Sequence, residues 1–385
     1  MAKNSVIIKT DPSTIKYVEG GHNYNISNQR LELSAYIPKD SSVQTRHEET
    51  YFIVPLNLPN VCEITSIKFP KIEEYTNDDL DQSTCYLIIN QSYYYVSLDG
   101  SVSSGAINNI NSYKEKNGYY PELTLRVSTY LYGSPAYEAY AKIIFSPPEF
   151  TCLINGGTHI LRPVIDRAKG HEIPAGFSSV YDLLDEVNAD DEITAIKSVA
   201  KGSGEIDQTS VVEMTYLENE KLSIVQVRLF ARLCMTDDTN SNSLVKISVS
   251  PAQGNKITFT QESSGIYQRW ENNKYYTFEA ILPASFVNDL NDYYHKYQYI
   301  SPINVHLQTK AWGYTDNKNK NYEASAEVSQ VYLEVVYIKG MNVYKKIDSE
   351  YKKVSAAYQK ENNVWVEIGE AQCREIIKNN SIWQE

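Results

Sequence analysis

The sequence lacks long apolar segments. No stretch approaches the ~18 consecutive apolar residues of a membrane helix, and residues 1–21 contain no apolar core of the kind that a signal peptide needs. We therefore expect a chain that does not span a membrane, does not leave the cell through a signal peptide and is made in the cytoplasm.

Cysteine and histidine are few, and their spacing does not suit metals. The five cysteines are an odd number with no CxxC pair, and the six histidines form no HxH or HExxH pattern. These absences argue against a disulfide framework and against a zinc site. We expect reduced thiols, no metal and no cofactor.

Positive charge is in deficit, because 36 Lys and Arg residues face 48 Asp and Glu residues and leave a net charge of −12. A protein that follows nucleic-acid phosphates needs a basic surface. The sequence therefore predicts no nucleic-acid partner.

Motifs for catalysis are missing as well. There is no G-x-S-x-G pentapeptide, and Gly202-Ser203-Gly204 has no downstream Gly-Lys-Ser/Thr, so we interpret it as a flexible connection. His47, beside Glu48 and Glu49, is the best isolated base, and a polar loop before a strand is its simpler interpretation. Two acidic clusters, 78–81 and 190–192, lack the glycine and distal glutamate of a calcium loop. We expect no enzyme activity.

Tyrosine, in contrast, is abundant, with 32 residues against 9 phenylalanines. So many hydroxyl-bearing rings suit the half-buried faces of antiparallel sheets. Short segments in which apolar and polar residues alternate also recur along the chain, separated by turn residues. The sequence predicts an all-β fold with one short helix, for which Ser285 is the candidate cap. In this helix four residues recur at helical spacing: Phe286, Leu290, Tyr293 or Tyr294, and Tyr297.

Two fragments recur in the same order and predict a tandem repeat. The hexapeptide at 63–68, EITSIK, returns as EITAIK at 192–197, and YEAYA at 137–141 returns as YEASA at 322–326. We expect two antiparallel β-sandwich domains of jelly-roll type, over residues 1–150 and 151–340, with the boundary near the proline and glycine cluster at 147–157.

Residues 341–385 form a tail of different character. Its aromatic residues recur every seven positions, which allows a coiled coil, but turn residues between them favour short β-hairpins, with a short helix over 370–379. Because an isolated hairpin has little core, the tail needs apolar contact with another chain or with the second sandwich. We predict that its aromatic residues are subunit contacts: Tyr344, Tyr351, Tyr358 and Trp365.

Exposed aromatic rings elsewhere leave three interpretations open: subunit contact, plain sheet surface, or stacking on sugar rings. For sugar binding the candidates are Trp312 and Tyr314, at the end of an alternating strand, with Trp270 as a possible partner. The alternative for Trp312 is that it plugs the end of the sandwich core.

Three segments of the second half resemble a known class of domain: LSIVQVRLFAR at 222–232, the helix entry LPASF at 282–286, and VSQVYLEVVY at 328–337. They are similar to a jelly-roll-like sandwich of tailed-bacteriophage virion proteins, although Phe286 stands where that pattern has Trp. The first half resembles the class more faintly. The tail resembles the short hairpin motif near the ends of phage tail and baseplate proteins.

The resemblance implies a non-enzymatic structural component of a virion, in the tail, baseplate, a fibre or a decoration. Its partners would be other virion proteins and copies of itself, and a host surface glycan is a further possibility. The alternative function is a glycan-binding β-sandwich module used for attachment to a cell surface.

Overall fold

The computed structural model describes residues 3–20, 24–27, 30–39, 42, 45–56, 58, 62–70, 72–76, 82–132, 138–184, 194–215, 222–237, 241–263, 275–297, 299–339, 343–347, 350–354, 358–361 and 364–367. The chain divides into two compact units. One comprises residues 1–157 together with 340–385, and the other comprises residues 158–339.

The first unit is built from antiparallel strands and one helix. The strands are β1 (Asn4–Lys9), β2 (Lys16–Gly20), β3 (Tyr24–Ser27), β4 (Arg30–Ile37), β5 (Thr45–Val54), β6 (Glu63–Lys68), β7 (Ile72–Thr76), β8 (Gln82–Ile89), β9 (Ser92–Tyr95), β10 (Leu123–Tyr132), β11 (Ala139–Phe145) and β12 (Glu149–Ile154). The helix is α1 (Ser104–Asn117), and a 3-10 turn spans Pro12–Thr14.

These strands form a sandwich around an apolar core. One side is a five-stranded sheet in the order β2-β5-β10-β8-β9, and the other side holds the sheets β3-β4-β11-β7 and β1-β12-β6. Phe52 of β5 meets Phe145 of β11 edge to face at 6.2 Å, so the two layers touch through fully buried rings.

The second unit repeats this construction. Its strands are β13 (Gly156–Leu161), β14 (Pro163–Ala168), β15 (Ile196–Lys201), β16 (Glu205–Met214), β17 (Leu222–Asp237), β18 (Asn242–Pro251), β19 (Ile257–Ser263), β20 (Tyr276–Ile281), β21 (Ile303–Trp312), β22 (Tyr314–Thr315) and β23 (Asn321–Lys339). Its helix is α2 (Ala284–Tyr297), and a 3-10 turn spans Tyr181–Leu183.

Two sheets enclose one core in this unit. The five-stranded sheet runs β14-β16-β21-β18-β19, and the opposite sheet runs β13-β23-β17-β20 with β15 also paired to β23. Buried side chains from both sheets and from α2 form a single cluster, as Val305, Leu229 and Leu290 illustrate. The predicted all-β sandwich class is confirmed. No helix in the described part of the chain is long and apolar enough to cross a membrane.

The two units share one topology in chain order. In each, the central strand of the five-stranded sheet has ten residues and follows the helix: β10 after α1, and β21 after α2. The long strand β23 takes the place of β11 and β12, which Pro147 and Pro148 separate. Proline cannot donate to a sheet ladder, so the strand is interrupted there.

An asparagine on each helix makes the same paired hydrogen bond. The Ile64 backbone N–H donates to Asn111 Oδ1 at 3.2 Å, and Asn111 Nδ2 donates to the Ile64 carbonyl at 2.7 Å. Asn291 bonds both backbone groups of Ile224 in the same way, at 2.9 Å each. In both strands the register shifts directly after the isoleucine, so the amide satisfies backbone groups beside a β-bulge. We call this contact the asparagine clamp.

The clamp shows which fragments of the predicted repeat are equivalent. The second match holds, because β11 pairs with β4 as the first part of β23 pairs with β15. The first match is misleading: 63–68 forms β6, whose counterpart is the clamped strand β17, whereas 194–197 leads into β15. Both hexapeptides favour strands, and that shared propensity explains the coincidence.

The sequence predicted α2 correctly but did not predict α1. Helix α2 begins at Ala284, one residue before the proposed cap Ser285, and the Pro283 carbonyl accepts the Phe286 N–H. Helix α1 was missed because it buries only Ala106 and Ile110. It ends at Gly118, whose left-handed conformation is the usual end of a helix.

The tail strands form the two predicted hairpins. Strand β24 (Val343–Ile347) pairs with β25 (Glu350–Val354), and β26 (Tyr358–Glu361) pairs with β27 (Val364–Glu367). The register sets Tyr344 opposite Lys353, Tyr351 opposite Lys346, Tyr358 opposite Glu367 and Trp365 opposite Lys360. The predicted helix over 370–379 lies outside the described residues.

We predict that the clamp asparagines contribute more to the free energy of unfolding than an ordinary surface asparagine does. Asn291→Ala leaves a backbone N–H and a carbonyl beside the bulge without their partner, and should lower the free energy of unfolding by about 1–3 kcal/mol. Asn111→Ala should do the same. The exposed Asn117, which donates only to its own helix, is the control, and Asn117→Ala should stay within about 0.5 kcal/mol. Urea unfolding measures all three, and a loss for Asn291→Ala no larger than the control contradicts the role.

A buried histidine lies in the polar part of the second core. The His171 ring is hydrogen-bonded through Nδ1 to Ser210 Oγ at 2.7 Å and through Nε2 to Thr309 Oγ1 at 2.8 Å, and Thr309 Oγ1 also meets Ser198 Oγ at 2.7 Å. Burial lowers the pKa of His171 to about 4. The folded protein therefore holds this ring neutral.

This pKa predicts a loss of stability in mild acid. Unfolded His171 binds a proton near its ordinary pKa of about 6.5, whereas the folded ring does so only near pH 4, so acidification favours the unfolded chain. As the pH falls from about 7 to about 5, a range above the carboxylate pKa values, protonation of unfolded His171 should lower the free energy of unfolding by about 2 kcal/mol. Denaturant unfolding of wild type and His171→Gln tests this, and an equal pH dependence in both chains would refute it.

Candidate functional site

The outer side of each five-stranded sheet is a candidate site, because it carries polar and aromatic side chains that the core does not use. We call it the open face. Along β10, buried Leu125, Val127 and Leu131 alternate with Arg126, Ser128, Tyr130 and Tyr132, which point outward. Along β21 the outward positions are Asn304, His306, Gln308, Lys310 and Trp312.

One half of the open face of the first unit is an ion-pair and tyrosine network. Arg126 pairs with Glu49 on the neighbouring strand β5, and the Tyr51 hydroxyl donates to Glu49 Oε2 at 2.9 Å. The Arg126 guanidinium lies over the ring of Tyr93, 6.0 Å from its centroid. The hydrogen bond from Arg126 is the main reason that the pKa of Glu49 is lowered, so this carboxylate is ionised and neutralised within the sheet.

The other half is a shallow depression of about 250 Å³. It is lined by side chains from three adjacent strands: His47, Thr84, Ser128, Tyr130 and Tyr132. The Tyr130 and Tyr132 rings lie 4.9 Å apart and are tilted by 55°, and the His47 ring lies 5.4 Å from Tyr130. Thr84 Oγ1 and Ser128 Oγ are hydrogen-bonded at 2.7 Å.

The structure corrects the interpretation of His47. Sequence reasoning placed it in a polar loop before a strand, but it is the third residue of β5, directly opposite Tyr130 in the register. The imidazole Nε2 lies 3.2 Å from Glu49 Oε1. Its role in the face comes from strand pairing over more than 80 residues of chain, which no local pattern reveals.

In the second unit the matching positions are filled by an ion-pair cluster. Lys310 Nζ lies 2.6 Å from Glu205 Oε1 and 3.5 Å from Asp207 Oδ2, and it covers the Trp312 ring at 4.6 Å. The Trp312 indole N–H donates to Glu205 Oε2 at 2.7 Å. The hydrogen bond from Lys310 is the main cause of the lowered pKa of Glu205, which keeps the cluster charged.

This geometry locates the sequence candidates for sugar binding. Trp312 is a half-exposed residue of the open face and not a plug of the core. Tyr314 stacks at 6.0 Å on Tyr322 of the facing strand, and Trp270 lies outside the described residues. Asp316, in the loop after Tyr314, accepts the backbone N–H groups of Lys318 and Lys320, so its carboxylate closes its own turn.

The glycine connection next to Trp312 is more ordered than the sequence suggested. Gly202 has φ +70° and donates its N–H to the Tyr322 carbonyl, and Gly313 donates to the Gly204 carbonyl. A Cβ at Gly313 would lie 2.2 Å from the Gly202 oxygen. The segment is therefore a hydrogen-bonded turn packed under Gly313, and not a flexible connection.

Other chemistry has little support in the described residues. Among them, no group of three or more His, Cys, Asp or Glu side chains could hold a metal ion. The two acidic clusters named above lie outside the described part of the chain. Cys62, Cys85, Cys152 and Cys234 are buried and are not in disulfides, and burial raises the pKa of the Cys85 thiol well above its usual range, which suppresses its reactivity.

Comparisons with known proteins do not assign the chain to a family. No family model matches the chain, and no curated protein matches it significantly. A putative secreted protein from Parabacteroides distasonis aligns with 86% of this chain and 99% of its own length, at 8% identity and a TM-score of 0.19. The CBM22-1–CBM22-2 tandem domain of Paenibacillus barcinonensis Xyn10C aligns with 86% of this chain and 92% of its own, at 10% identity and a TM-score of 0.16. Similarities this weak carry no argument about function.

The surface position of Trp312 generates a prediction. Trp312→Ala removes a ring that packs against Lys310 but not against the core, so it should lower stability by only about 1–2 kcal/mol. The fully buried Phe286 is the reference, and Phe286→Ala should cost about 3–5 kcal/mol. Thermal unfolding measures the stability of both variants. An equal loss of stability in the two would show that the Trp312 ring is part of the core.

Proposed function

We propose that the chain is a non-enzymatic structural component of a tailed-bacteriophage virion that works through contacts with other proteins. The observation that carries the proposal is the assembly of the three segments that resemble the virion domain. Segment 222–232 lies in β17 and segment 328–337 in β23, and these strands pair with Leu229 opposite Leu333. The Leu282 N–H donates to the Val227 carbonyl at 2.9 Å, so the helix entry joins the same layer.

The segments therefore form one contiguous part of the second unit, as a conserved domain pattern requires. Phe286, which stands where the pattern has Trp, is only 1% exposed and belongs to the core. A large buried ring at the start of the helix is thus retained in spite of the departure. This supports the resemblance at its weakest position.

The tail supports a role in assembly. Two consecutive two-stranded hairpins follow the second sandwich, and hairpins of this size need further apolar contact to be stable. We infer that Tyr344, Tyr351, Tyr358 and Trp365 supply subunit contacts, with copies of this chain or with other virion proteins as partners. The protein would be made in the host cytoplasm and would act in the virion.

Incorporation into particles tests the proposal. Mass spectrometry of purified phage should find the wild-type chain in a fixed ratio to the major capsid protein. A chain that ends at Gly340, and a full-length chain with Ser at the four tail aromatic positions, should be incorporated about tenfold less or worse, because aromatic anchors dominate interface energy. Circular dichroism should show that both variants keep their β structure.

Two results would contradict this account at different points. Absence of the wild-type chain from purified particles removes the virion assignment. Normal incorporation of both tail variants leaves the chain in the virion but removes the tail from its assembly.

A further inference from the structure

We propose that the depression on the open face of the first unit is a binding site for a neutral saccharide. This inference does not depend on the virion assignment, because it is drawn from side chains of the first sandwich alone.

The aromatic side of the depression suits the apolar face of a sugar ring. Tyr130 and Tyr132 are 37% and 44% exposed, far more than the core residues on either side of them. Their ring centroids lie 4.9 Å apart, so together they form a continuous surface of ring edges and faces. A pyranose presents C–H groups on one face, and these pack well on exposed aromatic rings.

The floor of the depression suits hydroxyl groups. Ser128 Oγ and Thr84 Oγ1 share one hydrogen bond at 2.7 Å, and two hydroxyls joined in this way still have one donor and several acceptor positions. His47 and the ionised Glu49 lie beside them, with Nε2 and Oε1 3.2 Å apart. Sugar hydroxyls both donate and accept, so they match this mixed set of groups.

The local charge favours a neutral ligand. The side chains that line the depression include no Lys, Arg, Asp or Glu. The arginines of the two strands that carry Tyr130 and His47 are already engaged: Arg126 with Glu49, and Arg46 with Glu48 at 2.5 Å. With a net charge of −12 on the whole chain, nothing here compensates the carboxylates or sulfates of an acidic polysaccharide.

The second unit supplies an internal comparison. Tyr130 and Tyr132 of β10 occupy the places that Lys310 and Trp312 hold in β21, and His47 and Thr45 correspond to Asp207 and Glu205. In the second unit the lysine bridges both carboxylates and covers the tryptophan. The same scaffold therefore carries a face closed by its own ion pairs in one unit and an open aromatic depression in the other.

Affinity electrophoresis of the full-length chain tests the proposal. Native gels containing galactan, mannan, glucan or xylan serve as neutral probes, and a gel containing polygalacturonate serves as the acidic probe. At least one neutral polymer should retard the wild-type chain, and the acidic polymer should not. Tyr130→Ala and Tyr132→Ala should each weaken the retardation about tenfold, as the loss of an aromatic anchor does at other binding sites.

Tyr36→Ala is the matched control, because it removes a tyrosine of similar exposure, 42%, from β4 in the opposite sheet of the same unit. It should leave the retardation unchanged, and thermal unfolding should show that all three variants are folded. The proposal is overturned if no neutral polymer retards the wild type, if only the acidic polymer does, or if the tyrosine variants migrate like wild type. It is also overturned if either tyrosine variant changes the oligomeric state in gel filtration, since the face would then be a protein interface.

Discussion

The asparagine clamp fixes the helix of each unit to a strand of the sheet opposite the open face. The chain then runs from that helix into the central strand of the open face. Asn111 and Asn291 bond both backbone groups of an isoleucine beside a β-bulge, and the central strand of the five-stranded sheet begins twelve residues later, at Leu123 and at Ile303. The intervening chain is also alike, since Tyr113 bonds Tyr119 as Tyr293 bonds Tyr299. Because side chains alternate along a strand, the starting point of β10 or β21 decides which residues enter the core and which reach solvent.

The alternation along β10 and β21 separates core positions from outward positions, so the two open faces can differ while the cores stay alike. Four of the five core positions of β10 and of β21 are apolar, and the fifth is a buried threonine in both strands, Thr129 and Thr309. The outward side of the sheet carries tyrosines and His47 in the first unit, and a lysine–carboxylate cluster at the matching positions in the second. Substitutions at outward positions change the stability little, because they neither open cavities nor leave buried polar groups without hydrogen-bond partners. A fixed scaffold with variable faces is what a binding or assembly protein requires, and function must be argued from the faces rather than from the sandwich.

Local patterns in the sequence were sufficient to predict the fold class and α2. They were insufficient for features that depend on pairing between strands far apart in the sequence. Alternation identified strands in both halves, and four aromatic or apolar residues at helical spacing identified α2. Helix α1 has only two buried residues, so its periodicity is too weak to detect. The equally spaced Asn, Tyr and Tyr at 111, 113 and 119 and at 291, 293 and 299 were a usable signal of the repeat. The matching strand hexapeptides pointed to a different and misleading alignment.

The candidate site was predicted only in part for the same reason. Trp312 was correctly placed at the end of an alternating strand, but Glu205, its hydrogen-bond partner, is 107 residues away. The depression of the first unit depends on β5, β8 and β10 lying side by side, which sequence alternation cannot specify. The tail hairpins followed from turn residues, because their strands are close in sequence.

A cryo-EM map of the proposed virion tests the central claim most directly. The account predicts density for two sandwiches of matching topology, with tail aromatic residues against neighbouring subunits and with Tyr130 and Tyr132 facing solvent at the particle surface. A particle without this chain, or one in which the open face of the first unit is buried under another protein, would contradict it.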